Sequence, residues 1–257
     1  LDQQRFLTGL GRLYPQKSSE SWDFPGYQTG KKHLRKPVRK VFLCLDFTED
    51  CLAAAQAFRP DIILTHHPFF FGKKSVIRKE DPKKAALEKA ILSLSAPLYS
   101  YHTDFDKGEG GMNDTLLALL GYERISVAPD GLMRLALRKE PADLPTIAEE
   151  VKKAFALPYV FYFQGQAKKI QKIALIAGGG ADLYPEAIAL GADLYISGDC
   201  AHHTRVDLKR YGISYLDISH EVEEIGFLTG MGKVLLSLDP TLQICRYAYE
   251  KPFDLLA

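Results

Sequence analysis

Six of the seven histidines fall in four short polar segments: THHPFFF (65–71), HTDFD (102–106), SGDCAHH (197–203) and HEVEE (220–224). Only His33 lies elsewhere. Imidazole and carboxylate are the side chains that hold transition metals and move protons near neutral pH. Their spacing sharpens the reading. At strand spacing His102, Asp104 and Asp106 share one face. If a helix begins at His220, then His220 and Glu224 stand one turn apart on one face, a common arrangement for two ligands of one ion. His66 and His67 are adjacent where a strand ends and the chain turns, so their rings can reach two different ions. Taken singly, each segment has an ordinary reading. HTDFD can be a turn with an Asx cap, and HEVEE the acidic first turn of a helix.

The segments share one structural context. PDIIL, PLYSY, GADLYIS and ISYLDIS precede them, apolar runs expected to be buried strands. Sliding the chain by 132 positions lays residues 40–65 over residues 172–197 without a gap. Lys40 meets Lys172, Leu43 meets Leu175, Ala55 meets Ala187, Ala57 meets Ala189 and Asp61 meets Asp193. Each copy reads as apolar strand, turn, alanine-rich helix and second apolar strand, with Gly191 at the helix end of the second copy. Strands apolar on both faces belong to parallel sheets with helical crossovers. Each copy continues with a helix, around 82–95 or 204–211, and a further strand. The expectation is an α/β protein of two pseudo-repeated lobes, a duplication of a βαβαβ unit. Ligands of such sheets bind outside the carboxyl ends of the strands. His66, His67, His102, Asp104, Asp106, Gly198, Asp199, His203 and His220 fall there.

Bulk properties exclude several classes. A formal net charge of +1 asks for neither nucleic acid nor an acidic membrane. The basic run 31–40 is the sole feature favouring nucleic acid, and it reads better as a solvated loop and strand edge. No apolar run reaches membrane-spanning length, and the N-terminal LDQQRFLTGL does not resemble a secretory signal. Cys44, Cys51, Cys200 and Cys245 form no C-x-x-C pair and are expected to be reduced core thiols of a cytoplasmic protein. AGGGAD (177–182) lacks the third glycine of a dinucleotide fingerprint and reads as a tight strand-to-helix turn. KGEGGMND (107–114) reads as a flexible connection into a helix capped by Asn113.

Together ILTHHPFFF, YSYHTDFDKGEGGMND, GADLYISGD and HEVEE resemble the dinuclear-metal-centre family named after the yeast Ngg1p-interacting factor. Its bacterial members carry the name GTP cyclohydrolase I type 2 homologue. WDFPGYQTG near the start and KPFDLL at the end resemble segments of the same family, and the chain resembles its short form without an inserted domain. The resemblance implies His66, His67, Asp106, His220 and Glu224 as ligands of two divalent ions (zinc, iron, manganese or cobalt), with His102 and His203 nearby. It also implies a ring-shaped homohexamer with its metal sites facing an internal cavity. Asp104 and Thr204 depart from the family pattern.

The expected organisation is a first lobe of residues 1–125 plus 221–257 and a second of 126–220, with a metal site in the cleft between them. The expected function is metal-dependent hydrolysis of the GTP cyclohydrolase kind on a nucleotide or related compound. His102 or His203 would move the proton. A metal-binding regulatory or interaction protein without turnover is the alternative.

Overall fold

The computed structural model describes residues 1–248. The end of the expected strand 242–250 and the KPFDLL segment lie outside the described residues. The chain forms two compact units, Leu1–Phe105 with the chain from Phe227, and Asp106–Gly226. The division therefore falls after residues 105 and 226, where the sequence reading sets it after 125 and 220. The reason is packing. Leu116 and Leu117 of the helix Met112–Leu120 join Ile147, Val151, Ile173 and Leu216 in one buried cluster, and Val222 packs against it.

In the first unit, strands β1 (Gly26–Gly30), β2 (Lys40–Cys44), β3 (Ile62–Thr65) and β4 (Pro97–Ser100) are joined by β11 (Gln243–Arg246) in the order β1-β4-β3-β2-β11. β11, β2, β3 and β4 are parallel, and β1 closes the edge antiparallel to β4. The helices Glu49–Phe58 and Pro82–Ser93 make the crossovers. β3 is buried throughout, because helices and loops cover both of its faces. Phe42, Ile63, Leu98, Leu87 and Ile91 carry this core. The four cysteines are free thiols, three buried and Cys245 half-buried.

The second unit holds β5 (Glu123–Val127), β6 (Arg134–Ala142), β7 (Phe161–Phe163), β8 (Ile170–Leu175), β9 (Leu194–Ser197) and β10 (Ser214–Asp217). They run in the order β5-β6-β8-β9-β10-β7. β8, β9 and β10 are parallel, and the flanking strands are antiparallel. Thus β2-helix-β3-helix-β4 and β8-helix-β9-helix-β10 repeat one pattern.

The identities between the copies have a physical basis. Asp61 Oδ2 accepts from the amides of Arg39 and Lys40 at 2.9 and 3.0 Å, and Asp193 Oδ2 accepts from those of Gln171 and Lys172 at 3.0 and 2.8 Å. Lys40 Nζ donates to the carbonyl of Phe58, as Lys172 Nζ does to that of Leu190. The duplicated lysine satisfies a carbonyl at the crossover helix's end, and the duplicated aspartate satisfies amides where the first strand begins. Gly191 takes φ +70°, past the end of its helix, as a left-handed helix terminus requires. No helix among the described residues is long and apolar enough to cross a membrane.

Candidate metal centre

In the first unit the donors gather where β3 and β4 end. Thr65 and Ser100 are register partners and both are buried. Thr65 Oγ1 donates to the His67 carbonyl at 2.8 Å and Ser100 Oγ donates to it at 3.1 Å. The His67 amide donates to the Leu45 carbonyl at 3.0 Å. The turn carrying the two histidines is therefore pinned from three sides. The ligand-type nitrogens of His66, His67 and His102 all lie within 4.8 Å of one another. His66 is fully buried and the other two are partly so.

Each ring is held from behind. His66 Nδ1 donates to the Tyr101 carbonyl at 2.9 Å. His67 Nδ1 meets both carboxylate oxygens of Asp46 at 3.0 Å. His102 Nδ1 donates to Asp23 Oδ1 at 2.8 Å. Carbonyl and carboxylate oxygens only accept, so Nδ1 carries the proton in all three rings. The neutral tautomer then bears its lone pair on Nε2. Metal-ligating histidines are oriented in this way. Burial pushes the Asp23 carboxyl up, but its bonds to His102 and Thr103 outweigh that and hold it below the ordinary value.

The second unit brings a histidine and two carboxylates together at the end of β10. The helix His220–Glu224 forms there, preceded by Ser219. His220 Nε2 lies 2.8 Å from Glu224 Oε1, one turn on, and His220 Nδ1 lies 2.6 Å from Asp199 Oδ2. Burial pulls the imidazole pKa down, yet bonds to Glu224 and Asp199 raise it to about 9. Two carboxylates around one imidazole make a field that favours a cation. The AGGGAD turn packs against this pair. Gly178 has φ +71°, and a Cβ there would stand 2.4 Å from Glu224 Oε1 and 3.0 Å from His220 Nε2. Glycine is thus required by conformation and by space. The neighbouring Glu223 turns inward, accepting from the Gly178 amide at 2.8 Å, and burial keeps its carboxyl well above the ordinary carboxylate range.

The three imidazoles of the first unit, and the His220–Glu224 pair of the second, are donor sets that a metal ion could take. Nitrogen-rich sets of this kind suit zinc, iron, manganese or cobalt better than calcium or magnesium.

The sequence profile of Duf34/NIF3 (NGG1p interacting factor 3) matches residues 2–237. The chain belongs to this NIF3 family. A GTP cyclohydrolase 1 type 2 homolog of Clostridium perfringens is 32% identical over 218 residues, 81% of each chain. The NGG1-interacting factor 3 of Saccharomyces cerevisiae is 25% identical over 258 residues, 90% of this chain and 89% of the yeast protein. The crystal structure of a Bacillus cereus protein related to NIF3 shares the fold, with a TM-score of 0.85 at 18% identity over 100% of this chain and 99% of that one.

This NIF3-family chain departs from the sequence reading at HTDFD. Residues Thr103–Lys107 are helical, so His102, Asp104 and Asp106 do not form a period-two face. The cause is Asp23, whose Oδ2 accepts from the Thr103 amide at 3.1 Å and caps the helix from 80 residues away. Asp104 is fully buried, and burial raises its carboxyl pKa to about 7. Asp106 is 8% exposed, at the start of the second unit. His203 stands exposed on the helix His202–Tyr211, its Nε2 4.0 Å from Asp182 Oδ1. Asn113 is no cap, since Gly111 precedes the helix. Its side chain instead joins the Asp106 and Leu132 carbonyls to the Ala177 amide. Asp23 and Asp46, which support His102 and His67, are not among the residues that the sequence singles out. Asp46 lies just past the end of β2, so the strand-end rule that drew out the histidines applies to it as well.

Proposed function

We propose that the protein is a dinuclear metal-dependent hydrolase of the GTP cyclohydrolase type, acting on a nucleotide or related compound. His66, His67, Asp106, His220 and Glu224 would hold two divalent ions, with Glu224 as the bridging carboxylate. The observation that carries the reading is the repeated arrangement of the histidines. Four rings drawn from β-strand ends all present Nδ1 to an oxygen acceptor, the support that orients a ligating imidazole; Nε2 of His220 meets Glu224 at 2.8 Å. When bound, such ions lower the pKa of a coordinated water from about 15.7 toward roughly 7 and polarise an electrophile.

The chain's own residues supply the remainder. Asp46 and the Tyr101 carbonyl orient His67 and His66. Asp199 orients His220. His102, fixed by the buried side chain of Asp23, is the candidate to accept and return a proton at Nε2. His203, exposed on its helix, is the second candidate. The free thiols fit our placement of the protein in the cytoplasm. The names borne by the bacterial relatives support the nucleotide class.

The test is product release from a panel of purine nucleotides, GTP first. Activity is expected to vanish with chelator and return with added metal. His102→Ala is expected to retain metal while losing about 10²–10⁴-fold in rate, as for a general acid–base group. Metallated protein that releases no formate, phosphate or other product across the panel would defeat the enzyme reading in favour of a regulatory one.

A further inference from the structure

Three aromatic side chains of the first unit are exposed in a single patch against its imidazole cluster. Trp22 is 53%, Phe24 42% and Phe71 55% exposed. Phe71 links the other two, with centroids 6.0 Å apart for Trp22 and Phe71 and 5.6 Å for Phe24 and Phe71. Trp22 and Phe71 also lie 5.9 and 6.2 Å from the His102 ring, which they meet edge-on. Isolated exposed apolar residues are ordinary, whereas a contiguous group marks a binding surface.

The backbone beneath these rings is anchored on both sides. Asp23, between Trp22 and Phe24, has its side chain wholly buried against His102 and Thr103. Phe71 follows Phe69 and Phe70, both buried in the core. The carboxylate that fixes the proton-transfer candidate therefore also fixes the two aromatics beside it. Such coupling suits a reacting group and a ring that must be held together. An indole and a phenyl tilted 42° apart leave faces on which a flat ring can stack.

We infer that Trp22 and Phe71 form a stacking platform for a planar nitrogen heterocycle of nucleobase size, seating the substrate's ring beside His102. The inference rests on the metal-dependent hydrolase reading and names the part of the substrate that the first unit grips. Aromatic stacking is tolerant of base identity, so the platform selects for a flat ring and leaves the choice among bases to other contacts.

Trp22 is the single tryptophan of the chain, so its fluorescence reports on the platform directly. The experiment titrates the full-length, metal-loaded protein with guanosine monophosphate and, separately, with ribose 5-phosphate, exciting the indole alone. Saturable quenching is expected with the nucleotide and none with the sugar phosphate. Phe71→Ala should weaken nucleotide binding about tenfold. Its bound metal, measured on the same sample, should equal that of the parent. Absence of quenching, equal responses to the two probes, or unchanged affinity in Phe71→Ala would overturn the platform. So would a buried-indole emission that becomes that of exposed indole as the protein is diluted, because a second copy would then cover the patch. Failure of the metal reading shows separately, as parent protein that holds no metal, and the titration is then read on the chelated chain.

Discussion

A His67→Ala protein is expected to lose bound metal and hydrolysis together, whereas Asp46→Ala should keep both in weakened form. His67 offers Nε2 as a donor only because Nδ1 is committed to Asp46, both of whose oxygens lie at 3.0 Å. Removing the ring removes the donor. Removing Asp46 frees the ring to rotate and to change tautomer, which typically costs 10- to 100-fold in metal affinity, an estimate of about one to two decades here. Asp46→Asn should fall between Asp46→Ala and the parent, since the amide oxygen still accepts from Nδ1 but carries no charge. Equilibrium dialysis against a buffered metal series separates the three proteins. Full metal in His67→Ala, or parental affinity in Asp46→Ala, would contradict these roles.

The second large effect concerns stability. Arg134 is 1% exposed, and its guanidinium makes five hydrogen bonds. Nε donates to Asp114 Oδ1 at 2.7 Å, Nη1 to the carbonyls of Gly131 and Leu132, and Nη2 to those of Lys107 and Gly108. One side chain thus clamps both ends of the 107–114 segment, which the sequence suggests is flexible. Arg134→Met is expected to cost about 3–5 kcal/mol, because Asp114 loses a buried partner and four carbonyls lose donors. Urea unfolding monitored by circular dichroism measures it. Burial pushes the Asp114 carboxyl up, but Arg134, the Gly110 amide and the charge of Arg124 together outweigh this and hold its pKa below the ordinary 3.8. A carboxyl depressed in the folded state contributes fully above its unfolded pKa and loses that contribution as pH falls through its folded one. The deficit of Arg134→Met should therefore be complete at pH 7 and shrink below about pH 4. A loss under ~1 kcal/mol at pH 7 would show the clamp to be dispensable.

What the sequence reveals and what it hides follow from the range of the interactions. The βαβ repeat is legible because Lys40, Asp61 and their counterparts Lys172 and Asp193 act on backbone within their own unit of the pattern. HEVEE is legible as a helix because its i and i+4 partners are local. HTDFD is misread because its cap comes from Asp23, 80 residues before Thr103, and no local pattern records that bond. A similar distance hides Asp23 as a support of His102, whereas Asp46, 21 residues before His67, falls under the strand-end rule. The AGGGAD loop reads correctly as a turn. Its crowding against Glu224 is invisible until the chain is folded.

The central claim is most directly tested by counting metal ions per chain. Full-length protein, purified without chelator and dialysed with zinc, manganese, iron or cobalt in turn, should retain about two ions per chain by elemental analysis with one of them, as a carboxylate-bridged pair requires. Glu224→Ala, lacking the proposed bridge, should retain fewer. Parent protein that retains none of the four metals, or a Glu224→Ala protein with the full parental complement, would contradict the dinuclear site.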